Sequence, residues 1–272
     1  MAKVLPTAIL SPARRLMPGL ILAVVLPLAQ GSRSQAADAW ADHRVAEPFV
    51  CWSDAPLDGL EGMLGELPQL QNDLISHLDL PPASERIEIY LFRNHSTYRR
   101  YLREQLPGLP YRRALYFKRD GPGIVLAYRS KDLAKDLRHE CTHALLHASL
   151  PMVPLWLDEG LAEYFELPAN QRAYDNPYLS KTRWEARLGM VPDMESLERL
   201  GAVGDMGAGQ YRRSWAWVHF MLHGSPQARR ELLEFLDDIQ AHTPPGQLSS
   251  RLQQRLPDLK SRYAAHFRSW KR

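Results

Sequence analysis

His139-Glu140-Cys141-Thr142-His143 constrains this chain more than any other stretch. It lies in a run with leucines at 133, 137, 145 and 146, which predicts a helix over about 131–149, N-capped by Ser130 and broken by Pro151 and Pro154. Four residues apart on such a helix, the two histidines lie about 40° from each other round the axis, with Glu140 about 100° from His139. Two imidazoles can then meet at one point with a carboxylate beside them. Histidines so placed supply two of the roughly three protein ligands of a catalytic zinc site, and the glutamate is placed to take a proton from water. The fold must therefore bring at least one more ligand against this helix.

Trp156-Leu157-Asp158-Glu159-Gly160-Leu161-Ala162-Glu163-Tyr164 is the stretch that can do so. Carboxylates at 159, 163 and 166 recur at helical spacing, so a helix over 155–167 offers one face of carboxylates. That face can furnish a third ligand and an acceptor for the second ring nitrogen of a histidine. The remaining features near it read as ordinary structure. His147 is a surface neighbour one turn after His143, Glu166 is solvated, Trp156 is core, and His219 and His223 are a mixture of core and surface.

The rest of the chain places these two helices in an α+β pattern. Phe49-Val50-Cys51-Trp52 reads as a strand, 57–78 as an amphipathic helix disturbed at Pro68, 87–92 as an alternating strand and 95–106 as a helix. A hairpin of 114–118 and 124–128, turning through Arg119-Asp120-Gly121-Pro122-Gly123, comes just before the histidine helix. After the second site helix comes a polar loop over 168–180 carrying Tyr174 and Tyr178. Helices alone follow, over 181–188, 195–200, 210–222, 226–240 and 257–270. The expected fold is a small mixed β-sheet with an edge hairpin packed on the histidine helix, followed by a mostly helical C-terminal half.

The N-terminus reads as an export signal. Lys3, Arg14 and Arg15 precede the apolar run Leu16–Ala29, and small residues follow, with cleavage sites at Ser34-Gln35-Ala36 or Ala29-Gln30-Gly31. The alternative is an uncleaved anchor, although the run is shorter than a span of about 20 residues and holds two prolines. The expected organisation is a signal peptide over 1–36, a short leader over 37–48, a metallopeptidase-like domain over 49–225 and C-terminal helices over 226–272 packed on the same domain. Of the 34 basic residues, four (Lys3, Arg14, Arg15 and Arg33) fall in the first 36, where there is no acid. The mature chain is therefore nearly neutral and gives no electrostatic case for a nucleic-acid partner. Cys51 and Cys141 are expected not to pair, because a bridge would pull the histidine helix toward the first strand.

The two site stretches together resemble the gluzincin metallopeptidases, whose third ligand is a glutamate on a helix after the HExxH. The likeness is closer to the small peptidase MA-like proteins of bacteria, including the DUF1570 group, in which a helix like Tyr211-Arg212-Arg213-Ser214-Trp215-Ala216-Trp217 follows. The resemblance covers about residues 49–225. It implies His139, His143 and Glu159 as ligands of one zinc ion and Glu140 as general base. It also implies Glu163 as the carboxylate behind the first histidine and Tyr211 as the oxyanion donor, with Tyr174 and Tyr178 weaker candidates. The strand Ile124–Tyr128 would lie beside the cleft and hold an extended substrate by main-chain hydrogen bonds. Only 15 residues, 144 to 158, separate His143 from Glu159, fewer than in aminopeptidase relatives, and no Gly-x-Met-Glu-Asn segment is present, so recognition of a free N-terminus is not implied. The implied function is an exported zinc metallopeptidase hydrolysing peptide bonds of a peptide or protein substrate, with no stable membrane insertion once the signal is cleaved. The alternative is a metal-binding scaffold of the same fold with weak or no turnover.

Overall fold

A computed structural model of the chain describes residues 40–108, 111–119 and 121–271. The expected signal peptide, both of its cleavage sites and the start of the leader lie outside the described residues. No described helix is long and apolar enough to cross a membrane.

Five strands form one mixed sheet in the order β1-β2-β3-β5-β4. They are β1 (Asp42–Ala46), β2 (Phe49–Ser53), β3 (Ile87–Phe92), β4 (Ala114–Phe117) and β5 (Gly123–Tyr128). Strands β2, β3 and β5 run parallel in the middle, and β1 and β4 flank them antiparallel at the two edges. Part of the expected leader over 37–48 is the strand β1. Its residues 42–46 pair with β2 from Asp42 against Ser53 to Ala46 against Phe49, because the apolar, buried β2 would otherwise expose one side of its backbone. Strand β5 is also not the edge strand that the resemblance implies. It is bonded on both sides, and the free edge belongs to β4.

Alternation along the strands assigns the two faces. Ile87, Ile89, Leu91, Val125 and Ala127 point into the main core with the helices α1 (Glu61–Leu78) and α3 (Leu133–Ser149). Phe92 and Leu126 point the other way and are covered by Tyr98 and Leu102 of α2 (His95–Gln105). Helix α1 runs on through Pro68. Asn94 caps α2, its Oδ1 accepting from the N–H groups of Ser96 and Thr97. Ser130 stands two residues further out than its expected N-cap position. Its hydroxyl accepts from the N–H of Asp132, and α3 begins at Leu133.

The helical half comprises α4 (Leu155–Phe165), α5 (Leu179–Arg187), α6 (Met194–Glu198), α7 (Ala208–His223), α8 (Pro226–Gln240), α9 (Leu248–Arg255) and α10 (Leu259–Ser269). Helix α9 has no counterpart among the helices expected from the sequence; its Leu248 and Leu252 are buried in the main core. Helices α4 and α7 pack very closely. A Cβ on Gly160 would stand 2.8 Å from the Ser214 carbonyl oxygen and 2.9 Å from a Val218 methyl, so only glycine lets the two backbones approach this far. Cys51 and Cys141 are both buried free thiols.

Candidate metal centre

Helix α3 turns its His139 and His143 toward α4, and Glu159 answers from the second turn of that helix. The Nε2 atoms of the two histidines are 3.3 Å apart, and each lies 3.6 Å from Glu159 Oε2. A point at the centre of this triangle is about 2.0 Å from all three atoms, which is the length of a Zn–N or Zn–O bond. The donor set therefore fits a zinc-sized ion without rearrangement. His143 and Glu159 are buried, while His139 is partly open to solvent. These three residues could hold a metal ion.

Both imidazoles are oriented from behind. His143 Nδ1 lies 2.8 Å from Asp158 Oδ1, and the other oxygen of Asp158 lies 3.0 Å from His147 Nε2. His139 Nδ1 lies 3.2 Å from Glu166 Oε2, and Lys135 Nζ bridges to the other oxygen of Glu166 at 2.8 Å. With Nδ1 committed in each ring, Nε2 is presented to the centre. The position implied for Glu163 is thus filled by Glu166. The reason is helical phase: seven residues after Glu159, Glu166 returns to within about 20° of it, two turns along. Because α3 and α4 pass in opposite directions, Asp158 meets His143 and Glu166 meets His139. The spacing 159–166 carried that signal, whereas for Asp158 the sequence offered only its place next to the ligand.

The charges are arranged as they would be around a cation. Burial alone would raise Glu159, but the imidazoles of His139 and His143 facing it hold it at about 2. Burial alone would lower His139, but the Glu159 and Glu166 carboxylates facing its two ring nitrogens raise it to about 10. His143 is likewise driven well above its ordinary value, burial being outweighed by Asp158. Glu163 stands apart: burial and the neighbouring Glu166 carboxylate raise it to about 7.

Glu140 is fixed from the sheet. Its Oε2 accepts from the backbone N–H of Tyr116 on the edge strand β4 at 2.7 Å. The Tyr116 ring also packs over those of His143 and His147, with centroids 6.3 and 5.6 Å apart. Tyr211, in the first turn of α7, is half-buried, and its hydroxyl is raised by burial and by the charge of Glu159. Tyr178 is raised by burial and by the charges of Glu163 and Glu166. Tyr174 stacks on Trp270 at 5.2 Å, with its ring engaged by the C-terminal segment. Trp156 and His219 are core residues.

No family model and no curated protein matches the sequence. Among solved structures, the chain is similar to the M1 zinc metallopeptidase from Deinococcus radiodurans, with a TM-score of 0.45 and 15% identity. The match covers 86% of this chain and 52% of that one, so the chain spans about half the length of that protein.

Proposed function

We propose that this chain is an exported zinc-dependent hydrolase that cleaves peptide bonds. The observation that carries the reading is the triangle of His139, His143 and Glu159 with Glu140 alongside. A purely structural metal site has no use for a fixed carboxylate that is not a ligand. When bound, the ion supplies Lewis acidity, withdrawing charge from a carbonyl oxygen and making water more acidic. Glu140, with one oxygen tied to the Tyr116 amide, keeps the other for the proton of the attacking water and delivers that proton to the leaving amine. Tyr211 donates a hydrogen bond to the oxygen that gains charge as water adds. Asp158 and Glu166 keep the two imidazoles aimed at the centre throughout. With the Tyr116 N–H held by Glu140, the remaining outward groups of β4 are what an extended substrate can pair with.

One observation favours a second reading, a metal-binding scaffold without turnover. Cavities of about 470 and 520 Å³ are lined by residues such as Trp217 and Leu259 or Leu222 and Arg229, and neither takes in a residue of the triangle. The decisive experiment is metal analysis and peptide hydrolysis by the mature protein and Glu140→Gln side by side. Both should hold one zinc, and the variant should lose at least about 10²-fold in rate. Equal rates would sink the mechanism, and stoichiometric zinc without hydrolysis of any peptide library would establish the scaffold.

A further inference from the structure

Helix α5 is apolar on two opposite sides. Leu179 and Ala186 turn inward and are buried in the main core. On the outward side Trp184 is 56% exposed and Leu188 59% exposed. The Leu188 N–H still bonds to the Trp184 carbonyl at 3.3 Å, so the helical turn continues and the two side chains lie one turn apart on one face. The helix then closes at Gly189. Its φ of 73° lets its own N–H reach the Ala186 carbonyl at 3.1 Å and the Met190 N–H reach the Glu185 carbonyl at 3.0 Å. This closure folds the chain back along the helix, so Met190, 45% exposed, joins the same end. Cations flank the apolar group. Lys181 and Arg187, three residues before and three after Trp184, are both exposed and form no ion pair among the described residues. The acids next to them in the chain are engaged elsewhere. Glu185, one turn from Lys181, pairs with Arg212 at 2.7 Å, and Asp193 accepts from the Glu195 N–H at the start of α6.

We propose that this end of α5 docks reversibly on the surface of an anionic lipid bilayer, with Trp184, Leu188 and Met190 entering the interface and Lys181 and Arg187 meeting headgroup phosphates. The inference is independent of the hydrolase reading of the metal centre. Area argues against a protein partner, a second copy included. Three side chains exposed to this degree offer on the order of 300 Å² of apolar surface, well short of the roughly 800 Å² that each side of a stable protein pair buries. A bilayer sets no such minimum. Each apolar side chain that enters it contributes by itself, an indole ring suits the boundary between headgroups and acyl chains, and each cation beside it adds attraction to anionic lipid. The inner side of α5 is already held by the core, so the helix meets the interface as part of the folded protein and docking requires no rearrangement.

The test is sedimentation of the mature protein with vesicles of phosphatidylcholine alone or mixed with an equal part of phosphatidylglycerol. The mature form is used because the apolar run Leu16–Ala29 would bring its own affinity for lipid. Wild type should bind the anionic vesicles at least about tenfold more tightly than the neutral ones, and added salt should weaken that binding. Trp184→Ala should lose about tenfold in affinity for the anionic vesicles, and Lys181→Gln/Arg187→Gln a similar factor. Both variants alter exposed side chains and should keep the wild-type Tm, which separates loss of docking from loss of fold. No binding to the anionic vesicles, binding unchanged in both variants, or equal binding to neutral vesicles overturns the proposal. A concentration-dependent dimer in gel filtration that Trp184→Ala dissolves also overturns it and gives the patch to a second copy.

Discussion

At the scale of the residue, the site is decided by which carboxylate stands behind which imidazole. Glu163 and Glu166 both lie on the same side of α4, and together with His139 they form a second group of atoms close enough to share an ion. Only Glu166 is bonded to the histidine, and only it is held by Lys135. Glu166→Gln should therefore weaken zinc binding about 10- to 100-fold in a competition titration with a chelating dye, while Glu163→Gln changes it little. The reverse order would return the supporting role to Glu163. Its raised value, about 7, is that of a buried acid that has yielded its charge to the carboxylate beside it.

At the scale of the element, the three parts that meet at the centre are held by backbone contacts as much as by side chains. Strand β4 locks Glu140 through an amide, which no substitution of the Tyr116 side chain short of proline removes. Helix α4 holds Glu159 in place by resting on α7 at Gly160. Adding one methyl there forces the helices apart against a backbone carbonyl that cannot move aside. Gly160→Ala should cost about 1–3 kcal/mol, seen as a lowered Tm in thermal denaturation, and should weaken zinc binding because the preceding residue, Glu159, is the proposed ligand. Wild-type stability in the variant would mean that the α4–α7 spacing is set elsewhere.

At the scale of the whole molecule, the C-terminal helices clamp the loop that follows α4. His219 of α7 and Trp270 after α10 both reach the Ala173 carbonyl, at 2.9 and 2.6 Å. His266 Nε2 lies 3.0 Å from His219 Nδ1, and His223 Nε2 lies 2.8 Å from the Tyr164 hydroxyl. Asn176 of the same loop donates to the Glu163 carbonyl, joining the clamp to the site helix. Burial lowers His223 and His266 to about 4 each. Unfolding restores them to about 6.5, so the unfolded chain binds more protons between those values and stability falls as pH drops through that window. The loss should be on the order of 2 kcal/mol for each histidine. Urea denaturation at pH 6.5, 5.5 and 4.5 should show a flatter decline in the double variant His223→Gln/His266→Gln than in wild type, and parallel declines would remove the histidines from the acid response.

The sequence by itself determined most of the elements and singled out His139, His143 and Glu159, because both are written in short-range periodicity. The four-residue spacing of His139 and His143, the helical carboxylates after Asp158 and the alternation of Ile87, Ile89 and Leu91 are local facts that need no knowledge of neighbours. Two elements escaped it: β1, polar and half-exposed, which is a strand only because β2 needs a partner, and α9, whose two buried leucines carry too little pattern in eight residues. Only the tertiary structure decided which strand forms the edge beside the histidine helix and which carboxylate backs His139. Each of these depends on how two segments distant in sequence pass one another, and helical phase or strand alternation within one segment does not contain that direction.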